Sequence, residues 1–146
     1  MNRMIPLLSS GVAGSLGILH FPRLWLKGLL GGSGLLAEGY TDVGPGYDSM
    51  VCTSLGLDIE AVRVYLHSVK PSYPEFEKWV SAQPGVKLDA ATIAQSNAAV
   101  SGYHHEDAVR KEILSAAGVP DDGSMLDAVN LNNLDDWTAL HKQVVG

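Results

Sequence analysis

The sequence has one cysteine, Cys52, in 146 residues. That excludes an internal disulfide and every metal motif built on paired cysteines. A lone thiol suits a reducing compartment. Positive charge is scarce too: 10 Lys and Arg stand against 16 Asp and Glu, for a formal net charge of −6. No basic run is interleaved with aromatics, so nucleic acid is not an expected partner. Long hydrophobic runs are also missing. The opening segment MNRMIPLLSSGVAGSLGILHF has a basic start and then an uncharged stretch. Pro6, Ser9, Ser10, Gly11, Gly14 and Gly17 break that stretch, which argues against a signal peptide and against a membrane helix. A cytoplasmic protein with no membrane partner is the expectation.

Strand signals are nearly absent, since the apolar stretches 16–21 and 49–53 are too short to count. Repeats, heptads and low-complexity tracts are absent as well. What the sequence does have is helix punctuation. Pro22 suits the first turn of a helix with Leu24, Leu26, Leu29 and Leu30 on its apolar face, and GGSG at 31–34 ends or frays it. Residues 38–48, EGYTDVGPGYD, are turn-rich. A short helix over 47–55 stops at Gly56. Asp58 caps the next, with Ile59, Val62, Leu66 and Val69 on one face before Pro71. Ser72 and Glu75 form a capping-box pattern leading into Phe76, Trp79 and Val80. Asp89 opens an Ala-rich helix to about Ser101.

Further along, a helix over 104–117 ends at Gly118, with Val119 folding back on Leu114 and Pro120 blocking continuation. Ser124 is placed as the cap of a short helix over 125–129. The last helix is expected to start near Asn133, with Asp135 and Asp136 in its first turn, where the dipole favours negative charge. The fold class is all-α: a single domain of about seven or eight short helices with long Gly/Pro-rich connections. Residues 1–21 form an apolar, Gly/Ser-rich segment packed on it.

Few residues carry chemistry. Cys52 has Asp48 four residues back, and a carboxylate raises a thiol's pKa, the wrong direction for a nucleophile. Gly11, Gly14 and Gly17 lack the strand and the Lys-Ser/Thr of a phosphate loop. His104 and His105 point about 100° apart on a helix, so they do not share a metal and are read as a solvated pair. H-E-x-x-H is absent, and neither a metal nor a cofactor is expected. His67 lies opposite its helix's apolar face and is read as a solvated cap.

Two groups stand out. The loop pairs Gly39-Tyr40-Thr41-Asp42 with Gly46-Tyr47-Asp48; glycines let backbone approach a ligand while Tyr and Asp supply donors and acceptors. His20 and Arg23 are polar groups in apolar surroundings, and His141 falls on a stripe with Leu134, Trp137 and Val144, so it is expected to be at least partly buried and in need of a partner.

The blocks LGILHFPRLWLKGLL (16–30), LAEGYTDVGPGYDSMVCTSLGLD (36–58), PSYPEFEKWV (71–80) and NLNNLDDWTALHK (130–142) resemble a bacterial family of small proteins catalogued as a domain of unknown function. The resemblance spans most of the chain. It implies a soluble bacterial protein and brings no activity, cofactor or catalytic residue. It directs attention to His20, Arg23, Tyr40, Asp48, Glu77, Asn97, Asp136 and His141.

These residues lead to an expected function: a metal-free small-molecule enzyme using His and carboxylates for proton transfer in a pocket between helices. His20 or His141 would be the acid or base, oriented by Asp48 or Asp136. Arg23 would hold an anionic substrate group, with Tyr40, Asp42 and Tyr47 in the binding loop. The alternative is a non-catalytic ligand-binding or protein-interaction module, motivated by a basic, apolar first 37 residues and an acidic end that could pair across a homodimer. The two differ in one respect. In an enzyme, His20, Arg23, the 40–48 loop and His141 line one cavity; in an interaction module they scatter.

Overall fold

The computed structural model describes residues 2–146 and shows seven α-helices with no sheet among those residues. They are α1 (Phe21–Gly32), α2 (Tyr47–Leu55), α3 (Ile59–Val69), α4 (Tyr73–Ser81), α5 (Ala90–Gly102), α6 (Asp107–Ala117) and α7 (Ala128–Val145). The all-α class is as expected. α1 packs on α3 and α4, α2 on α3 and α5, and α7 on α5 and α6.

Local signals set most of the boundaries. Asp58 accepts from Glu60 N at the start of α3, and Ser72 and Glu75 make both halves of a capping box at the start of α4. Such caps satisfy backbone donors that have no partner inside the helix. Gly56 and Gly118 end α2 and α6 in the left-handed conformation, and Val119 N donates back to Leu114 O at 3.0 Å. Most of the core joins α1 to α5: Ile18, Phe21, Leu24, Val51, Leu55, Leu66, Phe76, Val80 and Val100 are all buried. Fully burying a side chain of this size is worth about 1.5–3 kcal/mol. A smaller cluster of Ile113, Leu114 and Leu131 holds α6 to α7. Residues 2–20 lie against the helices, with Ala37 N donating to Met4 O and the N–H of Met4 to Leu35 O.

Two expectations about the end of the chain are corrected. Residues 125–145 do not form two helices: Asp127, not Ser124, caps one long α7 by accepting from Asn130 N. The bridge between His104 and Asp127, with Ala128 N donating to Tyr103 O, fixes that start. The stripe holding Trp137, His141 and Val144 faces solvent, with Trp137 59 % and Val144 74 % exposed. The buried face of α7 carries Ala128, Leu131 and Asp136. Residues 104–106 lie outside α6, which begins at Asp107.

Among the described residues no helix is long and apolar enough to cross a membrane.

Candidate functional site

His20 sits at the N-cap of α1 with φ 77°, ψ −20°, a left-handed backbone conformation for a residue with a side chain. Such a conformation costs about 1 kcal/mol or more and persists only where the surroundings impose it. Here they do. The backbone N–H of His20 donates to Val12 O, Nδ1 lies 2.9 Å from Ser10 Oγ, and Nε2 lies 2.5 Å from Asp48 Oδ1. His20 is 2 % and Asp48 1 % exposed. Burial lowers the pKa of His20, against the opposing pull of Asp48. Burial pushes Asp48 the other way, upward, but the hydrogen bond from His20 and the charge of Lys27 outweigh it and hold the carboxyl below its ordinary range. The pair is therefore a neutral imidazole donating from Nε2–H to a carboxylate, with Nδ1 accepting the Ser10 hydroxyl.

Asp48 has two further donors, Lys27 Nζ at 2.7 Å and Gly44 N at 3.1 Å. It lies in the first turn of α2, where the helix dipole favours an acid. Gly46 makes that placement possible. Its φ 84°, ψ −135° is open essentially only to glycine and turns the loop sharply into α2.

One turn along α1, Arg23 is buried and forked onto Asp136: Nη1 to Oδ2 at 2.7 Å and Nη2 to Oδ1 at 3.1 Å. Nη1 also donates to Pro6 O and Leu8 O, and Tyr40 Oη donates to Asp136 Oδ1 at 2.9 Å. The guanidinium thus ties the N-terminal segment, the 39–47 loop and α7 together. These bonds engage it inside the protein.

A cavity of about 280 Å³ opens between these elements. His20, Arg23, Tyr40 and Tyr47 line it, with Asp48 and Asp136 behind the first two. Asp42 and His141 do not line it. Asp42 turns away: its Oδ1 accepts from Val43 N and its Oδ2 lies 2.8 Å from His67 Nε2. His67 Nε2 is therefore buried against a carboxylate rather than solvated, although the contact lacks hydrogen-bond geometry. Gly31 and Gly32 permit this pairing, since a Cβ on Gly31 would stand 2.2 Å from Asp42 Oδ2 and one on Gly32 2.8 Å from the His67 backbone. His141 is exposed on the outer face of α7, contrary to the expected burial.

Several residues in the wall were not singled out from the sequence: Lys27, Tyr103, Asn132 and Asp135. His105 belongs with them and corrects the solvated-pair reading, because its Nε2 lies 2.7 Å from Asn132 Oδ1. Tyr103 stands edge-on to His105 and is tilted against Tyr47, at centroid distances of 5.9 and 5.4 Å. Burial, with the Asp136 carboxylate beside it, raises the pKa of Asp135. Among the described residues no three His, Cys, Asp or Glu side chains gather to hold a metal ion.

Away from this cavity, Glu77 is buried and accepts from Ser15 Oγ, Tyr73 Oη and Leu16 N. Ser15 and Leu16 thereby pin the 14–16 turn to α4, and Tyr73 braces the carboxylate from within the same helix. Asn97 does the same for the other end of that segment, accepting from Leu19 N and donating to Gly17 O. Cys52 is buried, and burial, helped by Asp48, pushes its thiol up to about 12.

Comparison with protein-family models and with curated proteins finds no match to this chain.

Proposed function

We propose that this protein binds a small polar molecule in the cavity between α1, the 39–47 loop and α7, and transfers a proton on it. The observation that supports this reading is convergence: His20, Arg23, Tyr40 and Tyr47 line one cavity together with Lys27, His105 and Asp135. Cavities with a few convergent polar groups are the usual setting of small-molecule chemistry.

In this reading the two histidines divide the work. Both nitrogens of His20 are engaged, so it positions Asp48 and the start of α1 rather than meeting the ligand. His105 donates from Nε2–H to Asn132 Oδ1, which leaves Nδ1 with no protein hydrogen bond among the described residues. A neutral imidazole held by one nitrogen and open at the other is a competent general base. Asp135 and the Tyr103 hydroxyl are the further groups within reach of a bound molecule.

The test is incubation of the protein in D2O with a mixture of small acids, amines and alcohols, followed by NMR. Loss of C–H signal from one compound, abolished in His105→Gln, supports the whole proposal. Binding without exchange retires the proton-transfer part and leaves a ligand carrier. Neither binding nor exchange overturns both.

A second reading, a protein-interaction surface, is favoured by the exposed apolar groups of α7, Trp137, Val144 and Val145. A concentration-dependent increase in mass by light scattering, lost in Trp137→Glu, would support it.

A further inference from the structure

The cavity walls hold two permanent cations, and both are already matched. Arg23 is forked onto Asp136, and Lys27 Nζ is 2.7 Å from Asp48 Oδ2. Drawing either cation toward a ligand would leave a buried carboxylate without its countercharge, held only by neutral donors, an unfavourable exchange. An anionic ligand therefore gains little from them. Asp135 is the reverse case. Among the described residues no cation lies within ion-pair distance of it. Beyond Asp135 the cleft continues for about 440 Å³ along α6, where it presents Glu112 and no Lys or Arg. The unmatched charge facing the ligand is negative. Burial and Asp136 already disfavour the Asp135 carboxylate, so it is short of positive charge in the free protein.

The aromatic groups agree with this. The Tyr47 hydroxyl is spent on Val100 O at 2.7 Å, so Tyr47 offers the cavity its ring. Tyr103 meets it at 59°. Two tilted electron-rich rings lining the same cavity as one carboxylate suit a weakly hydrated cation, attracted by ring quadrupole and charge together.

We propose that the ligand is an organic ammonium compound, its nitrogen against Asp135 and its carbon substituents against the rings of Tyr47 and Tyr103. This rests on the small-molecule reading above.

The experiment is a 1H–15N NMR titration of the full chain with choline and phenethylamine, and in parallel with acetate, inorganic phosphate and glycerol. The same metabolite mixture used for the exchange test is included as a control. The expected result is that the two amines shift the amides of Tyr47, Tyr103, His105 and Asp135. Asp135→Asn should weaken them about tenfold and Tyr103→Leu, which keeps apolar area and removes the ring, by about threefold or more. Both residues keep much of their surface exposed, Asp135 despite the partial burial of its carboxyl, and an otherwise unchanged spectrum establishes that the fold is kept. Amine binding that ignores Asp135→Asn overturns the inference. So does acetate, phosphate, glycerol or a non-amine of the mixture binding at those amides in place of the amines; in these cases the small-molecule reading stands. Silence from every compound overturns both.

Discussion

Asp136→Asn is the substitution whose cost the structure specifies most closely. The side chain keeps its shape and can still accept one hydrogen bond, so what is removed is the charge opposite a buried guanidinium. Arg23 would then sit in the interior with Pro6 O, Leu8 O and an amide as its only partners. Breaking a buried pair from one side costs about 3–5 kcal/mol, and the retained hydrogen bond places this case near 3. For a domain of this size that is a fall in melting temperature of about 6–12 °C. Urea denaturation followed by circular dichroism measures the free energy, and calorimetry the temperature. Arg23→Met, alone and with Asp136→Asn, completes a double-mutant cycle. The expected coupling is about 2 kcal/mol, with the double variant little worse than Arg23→Met alone. A cost below about 1 kcal/mol for Asp136→Asn, or two single effects that simply add, would refute the assignment of Arg23 as the internal tie.

Three further outcomes are expected. Burial lowers the pKa of His20 from its ordinary 6.5, so in that range the unfolded chain binds a proton that the folded chain does not. Stability is therefore full above pH 6.5 and declines as pH falls below it, with a slope of up to about 1.4 kcal/mol per pH unit, and His20→Asn should flatten that decline. Asp48, held low, adds its own loss below its ordinary 3.8. Cys52 should resist thiol reagents under native conditions and react at the rate of global opening, which a labelling time course with and without urea reads directly. Gly28→Ala should destabilise by about 1–3 kcal/mol in the same denaturation assay, since its Cβ would stand 2.5 Å from Leu66 and 3.0 Å from Val43.

Helix ends were legible because their causes are local. Asp58, the Ser72–Glu75 box and Gly118 act within four residues of themselves, and sequence spacing captures that. The start of α7 was not, because Ser124 and Asp127 are both good caps and the choice between them lies in the pairing of His104 with Asp127 from another segment. Helical periodicity places Trp137, His141 and Val144 on one face but does not say whether anything covers it. The burial inferred for His141 belongs instead to Asp136, on the other side of the helix. In the cavity, His20, Arg23 and Asp48 could be suspected as polar groups amid apolar sequence. Lys27, Tyr103, His105, Asn132 and Asp135 carry no such mark. Lys27 is set by its bond to Asp48, and the others by a fold that brings the turn after α5 and part of α7 to the same cavity as the head of α1, about a hundred positions earlier.

The tie between Arg23 and Asp136 also orders events in time. Chains emerge from synthesis amino end first, so the guanidinium at the head of α1 is made long before its carboxylate. Until α7 arrives, that first turn carries an unmatched charge it cannot bury, and the loops it will gather have nothing to close on. The helices between can form and pack meanwhile, yet the cavity closes only once α7 is present. The wall of that cavity is incomplete until residues 132–136 have been made.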